Sequence, residues 1–337
     1  MRMFLLIVAV GLPCASALAT EPAAPVQGED VNAAIDRGLA FLARDAVAWR
    51  DEHKCVSCHH ASLIVCAMRE AKLDGRAVDE PLLAELTKWI AESGDGKTGV
   101  PRPDAVPRAF NEKAVSLALA LAADPKPDDL SREGARRLLA TVKEDQIENG
   151  GWASWPETRP PMFGNSDERA TLSATLALLP AAKAGDDSAK QARDKAVTWL
   201  EGTPADGDAQ SLALRVVLWT RLDRPASEYQ PWVETIKQRQ NADGGWSQTP
   251  ELASDAWATG QALYALAHAG LTSADAIVAR GQRFLVAAQR EDGSWPMVSR
   301  PTKPGGEGST SLIPITGAGS AWGVLGLVRS AGPVRAP

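Results

Sequence analysis

Cysteine is too scarce here to staple the chain together, because 337 residues hold only four. A disulfide scaffold needs a dense, even set in a small domain, and a chain of this length can bury a large core without one. Basic residues are also in deficit, 36 against 42 acidic ones, giving a net charge of -6. That balance argues against nucleic acid or an anionic membrane as partner, since both are bound through excess lysine and arginine. Tyrosine and phenylalanine are few, at two and five, whereas tryptophan reaches eleven. Histidine is as rare as cysteine, with four copies. The apolar run from Phe4 to Leu12 is too short to cross a bilayer, and a soluble chain is expected.

That run has another use. Met1-Arg2 gives a positive start, Phe4 to Leu12 an apolar centre, and Ala17-Leu18-Ala19 a small-x-small cleavage site before Thr20. Together these describe a secretory signal peptide, residues 1–19, cut after Ala19 and leaving a periplasmic or secreted protein. Residues 20–30, rich in proline and alanine, are expected to be a disordered lead-in. Cys14 falls inside the leader, behind a poor lipidation signal, so the mature chain carries Cys55, Cys58 and Cys66.

Two of those cysteines and two of the histidines crowd into Cys55-Val56-Ser57-Cys58-His59-His60. Cys-x-x-Cys-His is the spacing at which two thiols add to the vinyl groups of one haem while the next histidine ligates its iron. Cys55, Cys58 and His59 are therefore expected to hold a c-type haem, with His59 as proximal ligand. Met162 and Met297, both in proline-containing loops, are candidates for the distal ligand, although methionine also serves as a packing filler. Zinc is the alternative cofactor, with His53, His59 or His60 completing a four-ligand set around the thiols. A redox dithiol is a third reading, but the usual βαβ setting is missing.

Internal repetition decides the fold class. Gln146, Gln240 and Gln289 are each followed at the same spacing by a glycine and a tryptophan: Gly150 and Trp152, Gly244 and Trp246, Gly293 and Trp295. Aromatic residues at Phe41, Trp89, Trp199 and Phe284 mark the helices that lead to such positions. Counting five residues on from the aromatic where the glutamine is missing puts six equivalent positions at Ala46, Gly94, Gln146, Pro204, Gln240 and Gln289. Their mean spacing of about 49 residues suits one helical hairpin per repeat. A second helix follows each of these, such as the stretches beginning Ser166-Asp167 and Ser254-Asp255, which align without a gap. These second helices are apolar nearly all round and should be buried, whereas the first helices carry one apolar stripe and should form an outer ring. Two concentric rings of helices make an all-α toroid of about six hairpins.

The pattern Arg280-Gly281-x2-Phe284-Leu285-x3-Gln289-x3-Gly293-x-Trp295 is similar to the QW motif of squalene-hopene cyclases and related terpene cyclases. The resemblance covers most of residues 31–330. It implies one α/α-toroid domain of the kind shared with protein prenyltransferase β subunits, around a cavity that takes an apolar small molecule. Secreted bacterial envelope proteins that join a Cys-Val-Ser-Cys-His stretch to such repeats are also similar, and a redox partner is what the haem reading itself leads one to expect. The chain departs from the cyclases in having no Asp-x-Asp-Asp acid motif. It departs from the prenyltransferases in having no cysteine and only His268 in its second half, and it has no Cys-Gly-Glu-Gln thioester. Fold carries over on such a likeness, but activity does not.

Asp167, Asp208 and Asp255 recur near the starts of inner helices. Each is either an N-cap, which that position strongly favours, or an acid at a cavity mouth with its pKa raised by burial. Asp255 and Asp167 are the catalytic candidates. His268, late on an inner helix, reads as a cap or core residue. Arg102, Arg108, Asn111 and Glu112 fall in a proline-rich loop before an inner helix, where they either line the cavity mouth or form a solvated loop, and the glycine-rich residues 305–311 lack the flanking strand and helix of a phosphate loop. In the register of the repeats Cys66 falls opposite Tyr264 and Ser57 opposite Asp255, so Cys55 to His60 should lie at the rim of the toroid. The expected function is a haem c protein on a toroid. The alternatives are a cyclase- or lyase-like enzyme acting through Asp255 or Asp167, and a non-catalytic binding scaffold.

Overall fold

The computed structural model describes residues 28–54, 56, 60–94, 111–154, 166–299 and 312–332. The leader, Cys55, Cys58, His59, Arg102, Arg108, Met162 and residues 305–311 lie outside the described residues. Within them the chain forms twelve helices and no strand. Six are outer: α1 (Gly28–His53), α3 (Glu80–Ala91), α5 (Asp129–Glu144), α7 (Asp187–Gly202), α9 (Ala226–Gln238) and α11 (Ala276–Ala288). Six are inner: α2 (Ser62–Leu73), α4 (Glu112–Ala122), α6 (Asp167–Lys183), α8 (Ala209–Arg221), α10 (Ala256–His268) and α12 (Ile313–Ala331). Each inner helix packs on the next in chain order, and α12 returns to pack on α2. The result is the expected all-α toroid of six hairpins. Helix α1 begins at Gly28, inside the stretch expected to be a lead-in.

Amphipathicity sorts the two rings. Helix α10 is buried without a break from Ala256 to Leu266, whereas its outer partner α9 buries only Val233 and Ile236. A helix apolar on every side has no face for water, so it must be the inner one. Aspartates start many of the helices: Asp79, Asp128, Asp186, Asp208 and Asp255 each accept a backbone N–H from the first turn. Such caps satisfy amides that have no partner within the helix.

The three glutamines end outer helices and reach forward to the next repeat. Gln146 Nε2 donates to Gly150 O and to Ala192 O of α7, both at 2.8 Å. Gln240 Nε2 donates to Gly244 O and to Ile277 O of α11, again at 2.8 Å. Gln289 Nε2 donates to Gly293 O at 3.1 Å and to Ala34 O of α1 at 2.9 Å, closing the ring from last repeat to first. The glutamine oxygens of the second and third clamps accept from guanidinium groups, Arg280 and Arg37. Each tryptophan then locks the turn from inside: Trp152, Trp246 and Trp295 donate Nε1–H to Val142, Ile236 and Leu285 O at 2.7 to 2.8 Å. Their backbone N–H groups bond the hydroxyls of Thr171, Thr259 and Ser320 on the inner helices. Asp243 and Asp292 bend the tight turns by accepting the N–H two residues on, as does Asn149.

Glycine is required at the centre of each clamp for two reasons. Gly150, Gly244 and Gly293 have φ of +96°, +89° and +90°, a region that side chains resist. A Cβ at Gly150 or Gly244 would also lie 2.7 Å from a carbonyl oxygen of the next outer helix.

The fourth repeat has no glutamine or tryptophan at its tip, and a buried ion pair replaces them. Arg215 is bonded to Glu168, both almost wholly buried. Arg215 donates to Leu200 O and Thr203 O at 3.3 and 3.0 Å, and Glu168 accepts Asp206 N–H. Leu200 O holds the same place relative to Pro204 that Val142 O holds relative to Gln146, so the guanidinium does the work of the indole. Trp219 and Trp232 stand beside it, with the guanidinium carbon 5.7 and 5.1 Å from their ring centres. The first repeat departs further. Helix α1 runs through Ala46 to His53, so the turn expected near Ala46 comes about two helical turns later.

Ring closure through Gln289 makes a prediction. Gln289→Ala removes two backbone contacts and the partner of Arg37, and should destabilise the fold by about 2 kcal/mol at ordinary hydrogen-bond strengths. Urea denaturation against wild type measures it, and an unchanged midpoint would remove the clamp from the account of ring closure.

Candidate functional site

Each hairpin runs out along an outer helix and back along an inner one, so all six inner helices point the same way. Their inward faces enclose a cavity of about 370 Å³. Its walls are apolar, with Leu63, Val115, Leu176, Leu214, Trp257 and Trp322 among them. Apart from Ser116 and Ser173, polar groups gather at the two ends. At the N-terminal mouth stand Glu112 and Gln210, the first turns of α4 and α8. At the C-terminal end stand Glu70, Arg221 and Tyr264, with Cys66 beside them.

Glu112 begins α4 directly after the cap Asn111, which accepts Ala114 N–H at 3.0 Å. Burial holds its carboxyl well above the usual range, despite the nearby Arg169 guanidinium. Burial thus favours its uncharged acid form at the edge of an apolar cavity. At the other end Arg221 Nη2 donates to Tyr264 OH at 2.9 Å. Burial raises the Tyr264 hydroxyl and pushes the Cys66 thiol up to about 12, so neither ionises. An un-ionised buried thiol is a poor nucleophile, and Cys66 is a wall residue. Cys66 and Tyr264 do share one cavity end, as the alignment of the repeats expects. His268 ends α10 and packs on Tyr264 with ring centroids 4.8 Å apart. Desolvation, aided by Arg221 and Arg329, lowers its pKa to about 3.

Asp255 and Asp167 stand outside the cavity wall. Asp255 caps α10, accepting Ala258 N–H at 2.9 Å and a bond from Gln248 Nε2. Asp167 is the first residue of α6, capped by Ser166, and accepts Ser154 N–H and its hydroxyl at 2.7 and 2.9 Å. Met297 is buried in the core with its sulfur packed on Gly319 of α12.

Cys55, Cys58 and His59 fall outside the described residues, but Lys54, Val56 and His60 bracket them at the N-terminal end of α2. His60 is buried, its Nε2 3.3 Å from Asp45 Oδ2 of α1. Burial raises the Asp45 carboxyl to about 6. Gly317 of α12 closes this corner, because a Cβ there would lie 2.7 Å from Asp45 Oδ2 and 3.2 Å from His60 Nε2. Trp49 stacks on His60 at 3.9 Å and on His53 at 3.8 Å, nearly parallel to both. Two rings stacked on one indole at that spacing occupy its opposite faces. Zinc–nitrogen bonds of about 2 Å keep two histidine ligands within about 4 Å of each other, so His53 and His60 cannot share one zinc.

Arg221 is a cavity-lining group that the sequence does not single out, and Glu112 is one that it could place at the mouth but not distinguish from a solvated loop. Glu112 is an isolated carboxylate before an apolar helix, which is equally the pattern of a favourable first turn.

No protein-family profile matches the chain, and no curated protein matches it. Solved structures do. A possible member of the GH105 family from Salmonella enterica has 14% identity over 95% of this chain and 98% of its own, with a TM-score of 0.56. A possible GH105 member from Klebsiella pneumoniae has 13% identity over 96% and 98%, with a TM-score of 0.54. A variant of the type II terpene cyclase MstE from Scytonema, in complex with its substrate geranylgeranyl dihydroxybenzoate, has 16% identity over 90% and 98%, with a TM-score of 0.55. Likeness at these identities shows the fold alone.

The His268 environment makes a signed prediction. A histidine held neutral in the folded state takes up a proton on unfolding below about pH 6.5, so its stabilising contribution is present above that pH and lost as pH falls toward 3. His268→Gln should flatten the fall in denaturation midpoint between pH 7 and 5. Parallel curves for variant and wild type would show that His268 contributes nothing to it.

Proposed function

We propose that this chain is exported, that its toroid takes an apolar small molecule into the central cavity, and that Cys55, Cys58 and His59 carry a c-type haem beside the mouth. The observation that supports the second part most directly is the cavity itself, walled largely by leucine, valine and tryptophan, the usual lining of small-molecule sites. Among proteins of similar fold, MstE binds geranylgeranyl dihydroxybenzoate, whose geranylgeranyl part is apolar.

The donor set fits haem c: two thiols separated by two residues and a histidine directly after the second. When bound, the haem would supply one-electron transfer or reaction of a small molecule at its iron. The chain's own residues hold the segment in place. Asp45, Trp49 and Gly317 fix His60, the residue after the proximal ligand, against α1 and α12. Met297 would have to leave its packing on Gly319 to become a distal ligand, and Met162 is the other candidate. A zinc site at the same thiols would use His59 and only one of His53 and His60.

A second reading is favoured by Glu112. A carboxyl group whose acid form is favoured by burial, at the mouth of an apolar cavity, is placed to give a proton to a bound molecule, the role expected of Asp255 or Asp167. In that reading the protein is an acid-dependent lyase or cyclase-like enzyme.

Two experiments test these readings. Expressed with a c-type maturation system, the chain should give a haem-peroxidase band on a denaturing gel, lost in Cys55→Ala and Cys58→Ala; a colourless band carrying stoichiometric zinc would end the haem proposal. For the acid, infrared difference spectra against Glu112→Gln should reveal a protonated carboxyl at pH 7. A carboxylate signal in its place would remove Glu112 as a proton donor.

A further inference from the structure

The two ends of the cavity differ in what they offer a ligand. At the N-terminal mouth the Glu112 carboxyl sits with the Gln210 carboxamide, whose buried Oε1 has no protein partner among the described residues. That end combines a donor with an acceptor. The C-terminal end is made of donors. Tyr264 OH already accepts from Arg221, so its own proton is left to give, and Arg221 keeps further N–H groups.

The cations around this end are accounted for by carboxylates, with one exception. Arg329 pairs with Glu70 at 3.0 Å, Arg76 with Asp74 at 2.7 Å, Lys72 with Glu80 at 2.6 Å and Lys183 with Asp223 at 3.5 Å. Arg221, which lines the cavity, has no carboxylate within ion-pair distance among the described residues. The negative ends of α2, α6, α8 and α12 each have a basic residue in their own last turn, Lys72, Lys183, Arg221 and Arg329, which offsets those helix dipoles. The other carboxylate of the wall, Glu70, is committed to Arg329. A guanidinium facing an apolar cavity is costly to desolvate unless an anion meets it.

We propose that Arg221 and Tyr264 form a carboxylate-binding pole, so that the ligand of the cavity is an apolar chain ending in an acid group. The planar guanidinium and the phenol give a carboxylate two oxygens' worth of donors in one place. The chain of such a ligand runs along the leucine and tryptophan walls toward Glu112. Gln210 and Arg221 stand three turns apart on α8, about 16 Å at the helical rise, which sets the span from mouth to pole. The proposal rests on the reading that the cavity holds an apolar molecule.

The test is calorimetric titration of the mature protein at about pH 8 with dodecanoate and with dodecanol, which share a chain and differ in the head. Wild type should bind dodecanoate about tenfold more tightly, the scale of hydrogen bonds to a charged group. Arg221→Gln should abolish that preference while leaving dodecanol unchanged. Tyr264→Phe, which keeps the ring packing, should reduce the preference severalfold and guards against a folding defect in the first variant. Equal binding of the two heads by wild type, or a preference that survives both variants, would overturn the carboxylate pole and leave the cavity reading standing. Binding of neither compound would remove the cavity reading, and the pole with it.

Discussion

A primary amide at the end of a helix can donate to two carbonyls at once, and three glutamines of this chain use that capacity to join neighbouring repeats. One N–H of each goes to its own turn, and the other goes to a carbonyl in the first or second turn of the next outer helix. A toroid made of separate hairpins has no strand ladder to hold adjacent units in register. Side-chain packing supplies most of the cohesion, but directional bonds decide which turn sits against which helix. Gln289 makes this join between the two ends of the ring, across 255 residues of sequence, and so turns a row of hairpins into a closed wall.

Closure has an electrostatic consequence. Once the inner helices form a ring, groups on their inward faces lose water on all sides, and charges there are either paired, neutral or awaiting a ligand. Burial pushes Glu112, Cys66 and Tyr264 toward their neutral forms. Glu70 takes the paired course with Arg329. Arg221 is bonded to a phenol and has no carboxylate partner among the described residues, which is why it is the most informative group in the cavity.

The repeats also show which parts of the clamp can be exchanged. In the fourth repeat Arg215, held by Glu168 and flanked by two tryptophans, donates to the carbonyl that an indole takes elsewhere. A charged group in that position must bring its own counter-ion, and the pair is buried together. In the first repeat α1 is longer and its end is pinned by stacking of Trp49 between His53 and His60. The cysteine motif follows directly, so the end of the repeat that elsewhere carries a structural turn is here the segment with the most distinctive chemistry.

The fold was legible because its signals are local and repeated. The glutamine, glycine and tryptophan positions of three turns, and the weaker position at Pro204, each fall at the end of an outer helix. Asp255 was legible as a cap for the same reason, since its partner N–H lies three residues away. Ala46 misled because Val47 to His53 contain no glycine or proline, and nothing stops the helix there. The roles of the cavity groups were not legible. Inner helices are apolar nearly all round, so their sequence has no period that names the inward face, and Glu112 and Arg221 look like ordinary dipole partners at helix ends. The sequence by itself determined the hairpin repeat and the two rings, because these depend on neighbours along the chain. Only the tertiary structure decided which polar side chains face the cavity and which of them lack a counter-ion, because that depends on six helices closing around one space.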